Sequence, residues 1–329
     1  MHSLMVAGLG RVGSADDALK PSPPRSHIGA ALSTGRFSIV GLVEPDWAAA
    51  ARARNQWPAL ARVAVHASLR DVPPQPIDLL VLATPTATRE ADIEAALALR
   101  PRLLIVEKPL AGDLATARRI ARRLRAAGQA TRIGYMRRFA PAIGEALDMF
   151  ATPPIKAIAS YTRGIAANCS HVVDLLVGRY GAPTTAWAYG PASAGRPEDP
   201  DIDFGLHFEC GLRLHAVALD GGAFAHLDLA LFFEDGRVEI AASGTRIRVD
   251  RIVPDLVFPG YSHLGPVDAG WRADMRLGMV DMYADAAAHL DGLSEMRGCT
   301  PDQALATVAA IEAVHASARA EFRPQSVAP

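Results

Sequence analysis

Apolar residues in the first 135 positions cluster in short, near-continuous runs with helix-length amphipathic stretches between them. That alternation is expected of strands buried on both faces of a parallel sheet and of the helices that cover it. The runs Leu4–Ala7, Phe37–Val43, Ile77–Ala83, Leu103–Val106 and Thr131–Tyr135 are the predicted strands. Helices are predicted from about His27 through Leu32, from Thr88 to Leu99, and from the N-cap Asp113 to just before Gly128. In the last of these, Leu114, Ala117, Ile120, Ala121 and Leu124 form the apolar face, while Arg118, Arg119, Arg122, Arg123 and Arg125 form a solvated one.

From Ile155 the pattern changes to strands with few long helices. After Ile155–Tyr161, strands are predicted near Thr185–Tyr189, Asp203–Glu209, Leu212–Leu219, His226–Phe233, Val238–Ala242 and Arg246–Arg251, with Asp235-Gly236 as a hairpin turn. A helix over Val172–Val177 follows Asn168-Cys169-Ser170-His171, and Thr300-Pro301-Asp302-Gln303 opens a long helix reaching about Arg319. This strand order implies an open, largely antiparallel sheet.

Composition narrows the function classes. The 329 residues, 50% hydrophobic, suffice for two domains of ordinary size. A formal net charge of -1 excludes the electrostatic footprint of a nucleic-acid or anionic-membrane binder and leaves a small molecule as the expected partner. Cys169, Cys210 and Cys299 are odd in number and lie in no metal-ligand spacing, so neither a disulfide framework nor a zinc site is expected. The N-terminus lacks a signal-peptide pattern, and no apolar run approaches the ~20 residues of a membrane span, which predicts a cytoplasmic protein.

The first strand runs into Gly8-Leu9-Gly10-Arg11-Val12-Gly13, a G-x-G-x-x-G turn that permits close backbone approach to a pyrophosphate. A glycine-rich loop without a ligand is the alternative reading. Glu44, at the end of the second strand, would accept hydrogen bonds from the adenosine ribose and repel a 2'-phosphate, favouring NAD(H) over NADP(H). The distance from Gly13 to Glu44 exceeds what a simple β-α-β unit needs. The excess lies in Ser14–Arg25, with Pro21, Pro23 and Pro24, and is read as a loop inserted before the helix. The predicted class is therefore α/β: a Rossmann doubly wound parallel sheet over 1–135, then an α/β domain on an open, mostly antiparallel sheet over 136–329, with the C-terminal helix free to pack back on the first.

With these motifs in order, the chain resembles the glucose-fructose oxidoreductase and inositol dehydrogenase family, Gfo/Idh/MocA, over essentially its whole length. The resemblance rests on Gly8–Gly13, Ala83-Thr84-Pro85, Glu107-Lys108-Pro109, Tyr135-Met136-Arg137-Arg138-Phe139-Ala140-Pro141 and Ser170-His171-Val172-Val173-Asp174-Leu175. It implies NAD(P)-linked oxidation or reduction of a sugar, cyclitol or related carbinol by a homodimer or homotetramer. The implied cofactor-binding residues are Gly8, Gly10, Arg11, Val12, Gly13, Glu44, Thr84, Pro85, Glu107 and Lys108.

Hydride transfer needs a base for the hydroxyl proton, which the cofactor cannot supply. Lys108, at a strand's C-terminal end, and His171, read at a helix N-terminus, are the catalytic candidates. A lysine solvated beside a turn proline and a capping or core histidine are the structural alternatives. Tyr135, Arg138, Tyr161, Arg163, Asn168 and His171 are the substrate-binding candidates, and Asp174 is read as structural. The chain departs from the family's commoner pattern four residues before His171, where Ala167 replaces an aspartate and Asn168 stands beside it. Asn168 cannot exchange a proton near neutral pH. Two further readings stay open: a hydrolase or lyase that retains NAD, and a non-catalytic sensor of dinucleotide or sugar.

Overall fold

A computed structural model describes residues 1–19, 23–192, 194–219, 223–267 and 277–329. These residues form two units. The first runs to Phe139 and also takes in helix α7 (Gly278–Leu290) and the chain up to Leu305; the second comprises Ala140 onward and the remainder of the C-terminal helix. Relative to the predicted 135/136 division, the boundary lies a few residues later, and α7 belongs with the first unit.

The first unit is built on a six-stranded sheet in the order β3-β2-β1-β4-β5-β6. Its strands are β1 His2–Ala7, β2 Phe37–Val43, β3 Val65–His66, β4 Leu79–Leu82, β5 Leu103–Val106 and β6 Thr131–Ile133, all parallel. Strands β4 and β5 are buried at every position, the consequence of helices on both faces. In register, Ala7 lies beside Val43 and Leu82, and Leu82 beside Val106. The glycine turn, Glu44, Thr84 and Glu107-Lys108 therefore all leave the sheet at one carboxyl edge, where open α/β sheets place ligands.

Helices α1 His27–Ser33, α3 Arg89–Leu99 and α4 Leu114–Ala126 match the predicted amphipathic stretches. Helix α2, Trp47–Gln56, has no large apolar stripe; Asp46 caps it through the Ala48 amide at 2.8 Å, and it buries Ala49, Ala50 and Ala53. Helix α7 packs on α1, with Met279, Met282 and Tyr283 in the core beside Ile28 and Phe37.

The excursion between the glycine turn and α1 interrupts a helix. His27 N–H donates to Val12 O at 2.8 Å and Ile28 N–H to Gly13 O at 3.2 Å, so α1 resumes the helical ladder that begins at Gly10. The buried Asp17 closes the excursion by accepting from the amides of Arg25 at 2.6 Å and Ser26 at 3.0 Å, and from the Ser26 hydroxyl. Residues 20–22 of this segment, Pro21 among them, lie outside the described residues.

The second unit carries a nine-stranded, mixed but mostly antiparallel sheet in the order β16-β15-β14-β13-β7-β12-β11-β8-β17. Its strands are β7 Lys156–Tyr161, β8 Pro183–Ala188, β11 Phe204–Phe208, β12 Arg213–Ala218, β13 Leu227–Phe233, β14 Gly236–Ala241, β15 Arg246–Pro254, β16 Ser262–Pro266 and β17 Gln325–Ser326; β9 Ala194–Arg196 and β10 Asp199–Asp201 form a separate hairpin. Pairing is antiparallel except between β7 and β12. Helix α5, Pro141–Asp148, packs on β14 and β15. The remaining helices are α6, Ser170–Tyr180, and α8, Pro301–Arg319, whose Ser317 accepts from the Ala188 amide at 3.0 Å. Ile158, Val217 and Tyr189 remain exposed on this unit.

Candidate active site

The carboxyl edge of the parallel sheet opens into a cavity of about 840 Å³. The three motif glycines do different things there. A Cβ on Gly8, whose φ is +91°, would meet Ala83 O at 2.5 Å, and one on Gly13 would meet Gly8 O at 2.0 Å. Both are required by the protein's own packing. A Cβ on Gly10 would meet no protein atom within 4 Å, yet Gly10 lines the cavity. Its missing side chain leaves space for a ligand, which fits a cradle for the pyrophosphate of a dinucleotide.

Glu44 borders the same cavity but is also occupied by the protein: Oε2 accepts from Leu9 N–H at 2.7 Å and Oε1 from Asp46 N–H at 2.9 Å. Each oxygen keeps lone-pair capacity for a ribose hydroxyl. Arg11 points to solvent and pairs with Asp16 at 3.1 Å, and Val12 is half-buried. From the excursion, Ser14, Ala15 and Ala18 reach the cavity wall, and Gln56 at the end of α2 donates to Ser14 O at 3.3 Å.

Opposite the glycine turn, Thr84 and Thr88 both donate to Asp92 Oδ2, each at 2.6 Å, which fixes the Thr84-Pro85 turn. Lys108 is half-buried beyond β5, joined to Pro109 by a cis peptide bond. Glu107 turns inward, where its Oε1 lies 3.1 Å from His27 Nε2, while His27 Nδ1 lies 3.0 Å from the Tyr283 hydroxyl. Gly134 packs against it: a Cβ there would meet Glu107 Oε1 at 2.5 Å and push the carboxylate from its place. Arg89 is buried beside this turn and donates to the carbonyls of Thr84, Glu107 and Pro109. Neither His27 nor Arg89 was singled out by sequence reasoning. Arg89 was hidden among a strong arginine excess: the chain has only three lysines, Lys20, Lys108 and Lys156, among its 34 basic residues. That same scarcity is a signal for Lys108 that could have been read.

The remaining candidates fall in different settings. In the first unit, Tyr135 is buried, and Arg138 donates to Gln303 Oε1 at 2.6 Å. In the second, Tyr161 is a core residue rather than a pocket residue: its hydroxyl donates to Ile202 O at 2.7 Å and accepts from Ile202 N–H at 2.9 Å, and burial pushes its pKa far up. Arg163 is exposed in the left-handed region at φ 68°. Both amide hydrogens of Asn168 are used, on Thr162 O at 2.8 Å and His226 O at 2.9 Å, leaving Oδ1 as its acceptor.

His171, 8% exposed, does not stand at a helix N-terminus as predicted. A π-helical turn, Ile165–Cys169, runs directly into α6, so the helical run begins well before it. The carboxylate of Asp199 caps that earlier start, accepting from the amides of Ala166 at 2.8 Å and Ala167 at 2.9 Å. The helix dipole therefore acts mainly on residues before His171, because its effect fades within the first turn. Asp174 is buried. Among the described residues no group of three or more His, Cys, Asp or Glu side chains is placed to hold a metal ion.

Known proteins place this geometry. The family model for an oxidoreductase family with an NAD-binding Rossmann fold, GFO_IDH_MocA, matches residues 4–135. Residues 4–135 belong to the Gfo/Idh/MocA oxidoreductases. Beyond the Gfo/Idh/MocA domain, the likeness to solved structures spans nearly the whole chain. An NAD-binding oxidoreductase from Klebsiella pneumoniae superposes with a TM-score of 0.78 at 16% identity, covering 100% of this chain and 99% of that one. The WlbA dehydrogenase from Bordetella pertussis, in complex with NADH and UDP-GlcNAcA, gives 0.76 at 18% identity, over 100% and 98%. UDP-N-acetylglucosamine 3-dehydrogenase GnnA from Acidithiobacillus ferrooxidans gives 0.70 at 16% identity, over 98% and 99%. At these identities the likeness is one of fold. No curated protein matches the chain in sequence.

Proposed function

We propose that the chain as a whole acts as a Gfo/Idh/MocA oxidoreductase and moves a hydride between NAD(H) and a carbinol carbon of a sugar, nucleotide-sugar or cyclitol. The observation that carries the reading is the emergence of Lys108 at the same sheet edge as the glycine turn and the Thr84-Pro85 turn. Bound nicotinamide supplies the hydride acceptor or donor. Gly10 leaves room for the pyrophosphate, and Glu44 holds the ribose and disfavours NADP(H). Lys108 takes or returns the hydroxyl proton, assisted by its partial burial. His171 is proposed as the second acid-base group, and Asn168 Oδ1, Tyr135, Arg138 and Arg163 as contacts to a polyhydroxylated substrate; for these the support is the family resemblance.

The reading extends to a cytoplasmic homodimer or homotetramer, supported by the exposed Ile158 and Val217 on the second sheet. Sedimentation velocity tests that part. One observation favours an alternative within the same family: Ala15 and Ala18 of the excursion line the dinucleotide cavity, as would suit an enzyme that retains NAD through a hydrolytic or eliminating cycle. Ala167, in the acid's place, is the feature a sensor would share.

The deciding experiment follows absorbance at 340 nm with NAD+ against sugars, nucleotide-sugars and cyclitols for the wild type, Lys108→Ala and His171→Ala. Turnover abolished by both substitutions supports the dehydrogenase and its acid-base pair. Firm NADH binding without net turnover moves the assignment to the NAD-retaining enzyme or the sensor. NADPH binding more tightly than NADH contradicts the role given to Glu44.

A further inference from the structure

Arg89 is the first residue of α3, and it is only 1% exposed. Its two Nη atoms donate to main-chain carbonyls: Nη1 to Glu107 O and, at 2.8 Å, to Pro109 O, and Nη2 to Thr84 O at 2.7 Å, while Nε is buried without a hydrogen-bond partner among the described residues. Two of these carbonyls flank Lys108, and the third belongs to the turn after the adjacent strand β4. Burying a guanidinium costs several kcal/mol unless its hydrogens are satisfied. Burial accordingly pulls the Arg89 pKa down, against the fields of Glu107 and Asp92, which hold it up. Capping three neutral carbonyls does not in itself need a cation. What arginine adds is a rigid planar fork that ties three points together, which the single ammonium of lysine cannot reproduce.

We propose that Arg89 is the positioning residue of the Lys108 turn, gripping the chain on both sides of Lys108 and locking it to Thr84, so that the amine is held toward the nicotinamide. The proposal rests on the functional reading above for what Lys108 does, but the grip can be tested without a substrate.

Only three lysines occur in the chain, so Lys20→Arg with Lys156→Arg leaves Lys108 as the single lysine. Reductive methylation with 13C-formaldehyde then gives one lysine signal, whose pH titration and response to NADH are followed by NMR. In this background Arg89→Ala is expected to move the Lys108 titration midpoint by about half a unit or more, by altering its surroundings and removing a nearby charge. Millimolar guanidinium should restore it. Arg89→Gln, which keeps an N–H donor, adds no second lysine and is the variant to use if the alanine protein does not fold, should change the signal's NADH response while leaving NADH affinity within about threefold, or ~0.7 kcal/mol. A folded Arg89 variant whose Lys108 signal titrates and responds to NADH as in the parent overturns the proposal. A parent Lys108 signal indifferent to NADH would count against the functional reading instead, and the titration shift would still decide the role of Arg89.

Discussion

The amide of His27 donates to the carbonyl of Val12 at 2.8 Å, the bond that residue 16 would make in an uninterrupted helix. With Ile28 bonded to Gly13 in the same way, the helical ladder stays in register across the insertion of residues 16–26. Deleting 16–26 is therefore expected to give a folded protein. Melting should change by no more than a few degrees, because the loop's closure entropy and its own Asp17 contacts largely offset one another. Ala18 leaves the cavity wall, so NADH release in stopped flow should quicken. A deletion protein that fails to fold contradicts that register; unchanged release contradicts any role for the excursion in holding the dinucleotide.

Tyr161 is a structural residue of the second unit. Replacing it with phenylalanine leaves the buried N–H and C=O of Ile202 without their partner, a loss of about 1–3 kcal/mol. Chemical denaturation should show that loss, while NADH affinity and substrate KM stay at the parent values. A raised KM with unchanged stability would return Tyr161 to the substrate site.

The second unit should lose stability on mild acidification. Desolvation lowers the pKa of His315, reinforced by Arg319 and opposed by Glu312 and Asp199. Desolvation also lowers His215, with Lys156, His207 and Arg213 adding to it, and His207, with Arg213 and Lys156 adding to it. A depressed folded pKa means that the unfolded chain binds more protons below about 6.5, so the contribution is complete above that pH and is lost as pH falls through the folded values. The melting temperature at about pH 5.5 should lie below that at about pH 7.5, and His315→Gln should flatten the slope. An unchanged slope in that variant would remove His315 from the account.

The parallel sheet was legible because β4 and β5 are bare apolar runs and because Gly8–Gly13 sits at the end of β1 and Glu107-Lys108-Pro109 at the end of β5. Helix α2 escaped notice because its buried face is alanine, which gives almost no hydrophobic periodicity. For His171 the surprise was local: the π turn of Ile165–Cys169 starts the helix early, and the carboxylate that caps it comes from Asp199, far along the chain. Tyr161 follows ordinary strand alternation, and only the tertiary partner Ile202 distinguishes a core tyrosine from a pocket one. Arg89 and His27 act through contacts of long sequence separation with the Glu107 turn, a pairing that no local pattern encodes.

If the cavity beside Gly10 holds the dinucleotide, titrating NADH into wild type and Gly10→Val, followed by fluorescence energy transfer, will separate the two proteins without any substrate. A valine there meets no protein atom near its Cβ, so melting should stay within a few degrees of wild type, whereas NADH affinity should fall by at least about tenfold, or ~1.4 kcal/mol. A wild-type protein that does not bind NADH, or a folded Gly10→Val protein that binds it equally well, contradicts the account.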